Sequence, residues 1–118
     1  MEIKQGDVYW LDQDDPSGSE PGYHRPFVVV QNNLFNQSKI NTVVVCALTT
    51  NLNRAKAPGN ITLIEGEGGL LKPSVVNISQ LVTVDKNALG EYIGTLSKSK
   101  IERVVQGIHL LLEPAELD

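Results

Sequence analysis

Two periods run through the pattern of apolar and polar positions. Up to Leu96 the apolar residues come in short blocks, separated by polar stretches rich in glycine, proline and asparagine. Beyond that point they recur at three- and four-residue spacing. The blocks predict strands. GDVYWLD, Gly6 to Asp12, is the first, with Val8 and Trp10 on one face. The second spans Arg25–Asn32 and the third Thr42–Thr49, TVVVCALT. ITLIE makes a fourth, VVNISQLVTV a longer fifth and EYIGTL a sixth. Three-valine runs in the second and third strands predict burial on both faces. Ile101, Val104, Val105, Ile108, Leu111 and Leu112 then form the apolar stripe of a helix. Ser99 and Glu102 have capping-box spacing at its start, and Pro114 supplies the stop. The expected fold is mostly β (α+β): one domain over residues 1–118, a small antiparallel β-barrel closed by a C-terminal α-helix.

Composition narrows the class. With 118 residues, 41% hydrophobic and 20% charged, the chain is long enough for a single core and too short for two ordinary domains. Cys46 is the lone cysteine, which excludes an internal disulfide and fits a reducing compartment, so a cytoplasmic location is expected. No signal-peptide pattern opens the sequence and no run approaches a membrane span. The net charge of −4 argues at first against a nucleic-acid partner. Its distribution changes that. No acid lies between Glu20 and Glu65, where Arg25, Lys39, Arg54 and Lys56 sum to +4, leaving −8 for the remainder. Either one face is locally positive or acids are merely absent from buried strands.

Candidate chemistry gathers at the mouth of the second strand, in SGSEPGYHRPFVVVQ. The loop before it, residues 13–24, is long for a compact domain, a length usually tied to function or mobility. A symmetric hairpin about Gln37 pairs residues whose numbers sum to 74, setting Arg25 across from Thr49. Side chains so paired share a face, with Cβ atoms roughly 5 Å apart. Pro26 biases Arg25 towards an extended backbone. Alternation turns Thr50 the other way, although a one-residue slip would exchange the two threonines. A guanidinium, a hydroxyl and His24 thus meet at one rim, flanked by Ser19 and Glu20 on one loop and Arg54 and Lys56 on another. An arginine fork suits phosphate oxygens. An Arg25–Glu20 clasp holding the long loop is the plainer alternative. Elsewhere Cys46 reads as a small buried hydrophobe, and His109 as a helix-end residue. Two distant histidines make a metal site improbable, and GEGGLLKPS matches no phosphate-binding spacing.

The stretches GDVYWLDQDDPSGSEPGYHRPFVVVQN and CALTTNLNRAKAPGNITL resemble the MazF/PemK/Kid family of toxin endoribonucleases. The family pattern appears here as Gly6-Asp7-Val8-Tyr9, Ser17-Gly18-Ser19-Glu20 and Arg25-Pro26, with Gln80 at the matching place of the late strand. The resemblance implies a homodimeric SH3-like barrel that cuts single-stranded RNA without metal or other cofactor. It implies Arg25 and Thr49 as catalytic, and the chemistry of metal-free cleavage then calls on Glu20 or His24 to move the proton. Ser19, His24, Gln80 and, from the flanking loop, Thr50, Arg54 and Lys56 would contact RNA. The expected partner is an antitoxin with an acidic, flexible tail. There are departures. Asn77 and Ser79 stand where one branch has an Arg and Asp dyad, Val82 where some relatives carry a basic residue, and Pro21 beside Glu20. A CcdB-like toxin that binds DNA gyrase and an inactive barrel adaptor are the competing readings.

Overall fold

The computed structural model describes residues 2–12 and 24–117. Six strands form one antiparallel sheet: β1 Asp7–Leu11, β2 Arg25–Val29, β3 Thr42–Thr49, β4 Ile61–Leu63, β5 Ser74–Asp85 and β6 Tyr92–Thr95. Their order is β4-β5-β3-β2-β1-β6. The sheet curls into a half-barrel, and the helix Lys98–Leu112 packs across its open side through Val104 and Ile101. The ladder does not run on from β4 to β6. That seam is filled by a 3-10 turn, Glu67–Gly69, lying against β6. A Cβ on Gly94 would run into the backbone of Gly68, so only glycine permits this approach.

The third strand has the boundaries expected of it. The β2–β3 pairs are Phe27↔Ala47, Val28↔Cys46 and Val29↔Val45, each summing to 74 as a symmetric hairpin requires. Both faces are buried, as the valine runs imply. Val8, Val28, Cys46, Leu48 and Val76 belong to the core under the helix, and Tyr9, Phe27, Val29, Val43 and Val45 to a second cluster.

Three local features differ from expectation. The polar connector contains a short helix, α1, Asn33–Asn36, because the Asn32 carboxamide oxygen accepts from the Phe35 amide at 3.3 Å and caps it. The C-terminal helix, α2, starts one residue after Ser97, so Ser99 lies inside its first turn and forms no capping box with Glu102. β2 ends at Val29, where its backbone leaves the ladder and the Val30 and Gln31 amides both turn to the Val44 carbonyl.

The β3–β5 ladder carries a large bulge. Cys46 pairs with Leu81 but Leu48 with Val76, so Asn77–Gln80 together face Ala47. Such an insertion bends a sheet sharply. Here it makes the corner from which the turn Leu52–Lys56 and β4 fold back.

Candidate active site

A groove of about 900 Å³ opens at the end of the half-barrel where β2 begins and β3 ends. Arg25, half-buried, is the first residue of β2 and pairs with Leu11. Thr49 is the last of β3 and pairs with Val75. Extending the β2–β3 register by two residues sets these side chains opposite each other, and both line the groove.

The turn after β3 orients the Thr49 hydroxyl. Its Oγ1 accepts the Asn51 amide at 3.1 Å, and Asn51 in turn caps the following 3-10 turn by accepting the Asn53 amide at 3.2 Å. A hydroxyl has one proton and two lone pairs. With one lone pair engaged by the turn, its proton remains available to donate. Thr50 also lines the groove, and alternation does not reach it because the strand ends at Thr49.

His24 enters the groove beside Arg25. Its Nδ1 is 2.6 Å from Asp12 Oδ1, and its ring stacks on Trp10 with centroids 4.3 Å apart and planes 9° from parallel. A carboxylate can only accept, so this contact assigns the donated proton to Nδ1. Aromatic stacking and one short bond together define the ring plane.

The other expected site residues separate. Arg54, on the 3-10 turn, lines the groove. Lys56, at the end of the same turn, is exposed and does not. Gln80 sits half-buried in the β5 bulge, away from the groove lining, with Oε1 lacking a hydrogen-bond partner among the described residues. Ser19 and Glu20, and with them the Arg25–Glu20 clasp, lie outside the described residues. Asn77, at a position of the alternative dyad, is 4% exposed and bonded inward.

Trp10, Lys72, Glu91 and Tyr92 are among the groove residues that sequence reasoning passed over. They come from segments distant in sequence that meet only when the sheet curls. An aromatic so close to the turn-rich loop was the one available signal. The described lining carries Arg25, Arg54 and Lys72 against Glu91, so the groove is locally positive on an acidic chain. Among the described residues, no three His, Cys, Asp or Glu side chains converge as metal ligands would. Cys46 is fully buried, burial pushes its thiol up to about 12, and its sulfur donates to the Asn77 carbonyl at 3.0 Å. A thiol so held is no nucleophile at neutral pH. His109 is exposed in the last turn of α2.

Comparison with known proteins agrees with this architecture. Residues 4–112 match the family described as PemK-like, MazF-like toxin of type II toxin-antitoxin system. The chain is 34% identical over 113 residues to endoribonuclease MazF6 of Mycobacterium tuberculosis, covering 96% of this chain and 99% of that one. It is 37% identical over 110 residues to endoribonuclease MazF of Staphylococcus saprophyticus, covering 93% and 91%. A mycobacterial endoribonuclease solved in complex with its cognate antitoxin has the same fold, with a TM-score of 0.77 at 24% identity over 97% of this chain and 99% of that one. MazF from Deinococcus radiodurans follows it at 0.74 and 22%, over 97% and 99%. With the match running from the first strand through the C-terminal helix, the chain belongs to the PemK/MazF family of toxins.

Proposed function

We propose that this protein is the endoribonuclease of a toxin–antitoxin pair and cuts single-stranded RNA in the Arg25–Thr49 groove. The observation that carries the reading is one positive groove holding a guanidinium, an oriented hydroxyl and a carboxylate-paired imidazole. The kinship with curated endoribonucleases supports it.

In the proposed reaction the 2′-hydroxyl of the substrate attacks the adjacent phosphorus. The O2′–P bond forms and the P–O5′ bond breaks, leaving a 2′,3′-cyclic phosphate and a 5′-hydroxyl. One proton leaves O2′ and one reaches O5′. Arg25 supplies two donors and a fixed positive charge to the non-bridging oxygens as the phosphorane forms. Its own proton is held too tightly for it to act as a base. Thr49 donates its free hydroxyl proton to the same phosphate. His24, with Nδ1 held by Asp12, exchanges protons through Nε2, and Glu20 is the alternative carrier. No step in this scheme calls for a metal. Arg54 and Thr50 are assigned to RNA contact in the groove, Ser19 and Lys56 on its flanks, and Gln80 beyond them at the β5 bulge.

The partners follow from the same reading. A positive groove suits the acidic, flexible tail of an antitoxin, which would occupy the RNA path until it is degraded. The protein acts as a homodimer on transcripts in the cytoplasm. None of the described helices is long and apolar enough to cross a membrane.

The test is incubation of purified protein with a long single-stranded RNA in excess chelator, with Arg25→Ala in parallel and fragment ends mapped. Discrete cuts by wild type alone, ending in cyclic phosphate, are expected. Intact RNA after exposure to well-folded protein would reject the proposal.

A further inference from the structure

Behind the groove wall, Asn60 makes three hydrogen bonds that no strand ladder requires. Its Nδ2 donates to the Arg54 carbonyl at 2.8 Å and to Asn77 Oδ1 at 3.2 Å. Its Oδ1 accepts the Ile78 amide at 2.8 Å. Reversing the carboxamide would set oxygen against two oxygens and nitrogen against an amide, so the network itself defines its orientation. Asn77 is 4% exposed, its Oδ1 also accepts from the Ser79 hydroxyl at 3.3 Å, and its carbonyl accepts from Cys46. The Asn77–Gln80 bulge leaves backbone groups without ladder partners, and Asn60 satisfies one of them.

The same side chain is bonded to the turn that carries a groove residue. Arg54 belongs to the 3-10 turn Leu52–Lys56, whose own hydrogen bonds are short-range: the Arg54 amide to Asn51 and the Ala57 amide to Arg54. A turn of this kind frays unless it is tied down. Asn60 ties it to β5 at Arg54 itself. Gly59 sets the base of the tie against α2, where a Cβ on Gly107 would sit 2.5 Å from the Gly59 carbonyl oxygen.

We propose that Asn60 and Asn77 are a positioning pair that sets Arg54 at the groove for the phosphate backbone of RNA. The inference rests on the endoribonuclease reading and deepens it. Asn77 is uncharged and acts from behind the wall, through its bond to Asn60. Arg54 is the group through which it acts.

Asn60→Asp is the informative change, because it keeps the bond from Ile78 and turns both donations into oxygen–oxygen repulsion. RNA binding and cleavage would be measured across a salt series for Asn60→Asp, Arg54→Ala and the double variant. Expected for Asn60→Asp are a several-fold rise in KM, little change in kcat at saturating RNA, and a salt slope shallower by about 0.7, the share of one single-strand phosphate. The double variant should be no worse than Arg54→Ala alone. A wild-type salt slope in Asn60→Asp, or losses that multiply in the double variant, would overturn the proposal. Should Asn60→Asp not fold, Asn77→Ala removes one acceptor without adding charge and runs through the same cycle. Hydrogen exchange at the Ala57 amide reads the tie without RNA. Faster exchange in the variant is expected, and unchanged exchange would refute the tie. Failure of wild type to cut RNA would instead reject the functional reading, whatever the exchange result.

Discussion

The imidazole of His24 lies flat on the indole of Trp10, their ring centroids 4.3 Å apart. The two residues come from β1 and from the step into β2, and residues 13–23 connect those strands. Offset stacking of this kind contributes about 0.5–1.5 kcal/mol beyond simple burial. At this place it also fixes the imidazole in the groove lining.

Because Trp10 is the sole tryptophan and lines the groove, it reports on occupancy. Titrating single-stranded RNA into a Thr49→Ala variant, chosen to slow cleavage, should shift or quench its emission saturably. A flat titration, with binding demonstrated independently, would place the RNA elsewhere.

If His24 carries the proton, His24→Ala should lower kcat by roughly a hundredfold or more, the usual contribution of a positioned acid or base. Asp12→Asn should lower kcat too while leaving RNA affinity intact, since it removes the carboxylate that holds Nδ1–H. A loss of less than about tenfold in His24→Ala would pass the role to Glu20.

Arg25→Ala and Thr49→Ala should each reduce cleavage by about a hundred- to a thousandfold with normal melting behaviour. Arg25→Lys should recover little, because an ammonium keeps the charge and lacks the planar fork. Thr49→Ser keeps the hydroxyl and should recover most activity. Thr50→Ala should be mild. Single-turnover assays at saturating RNA separate these outcomes, and near-normal rates in either alanine variant would dismantle the site.

Stability should fall on the alkaline side. Burial, reinforced by Asp7, pushes the Tyr9 hydroxyl from its usual 10 up to about 12, and burial pushes the Cys46 thiol from 9 to about 12. Both groups are raised acids, so the unfolded chain releases these protons before the folded one does. The unfolded state therefore binds fewer protons above pH 9, and stability declines from there to about pH 12. Tyr9→Phe should flatten the part of this decline above pH 10. Denaturant melts at stepped pH would show it, and an unaltered profile would refute the assignment.

Gly94→Ala tests the seam. Its Cβ would meet the Gly68 backbone, which cannot move aside as a flexible side chain would. A loss of about 1–3 kcal/mol is expected, typical of overpacking a tight contact. Chemical denaturation would measure it, and a neutral result would mean that the 3-10 turn does not close the half-barrel.

Much of the architecture was legible because it depends on short-range pattern. The boundaries of β3 follow from an apolar block between polar connectors, and the β2–β3 register follows from a symmetric hairpin. That register was enough to bring Arg25 and Thr49 to one rim. Local signals were weaker where alternatives compete. Ser99 has capping-box spacing to Glu102, yet the helix begins two residues earlier than that spacing requires, with Ser97 at its N-cap.

The sequence by itself determined the strand blocks, the helical stripe, the β2–β3 register and the motifs of the family. Tertiary structure alone decided which remote residues join them. Trp10, Lys72 and Tyr92 share a groove because the sheet curls. Arg54 lines it and Lys56 does not, since side chains two apart on a 3-10 turn point different ways, and Asn60 bonds that turn at the Arg54 carbonyl. Hydrogen bonds between residues far apart in sequence leave no periodic trace, since any polar residue in a loop would look the same before the chain is folded.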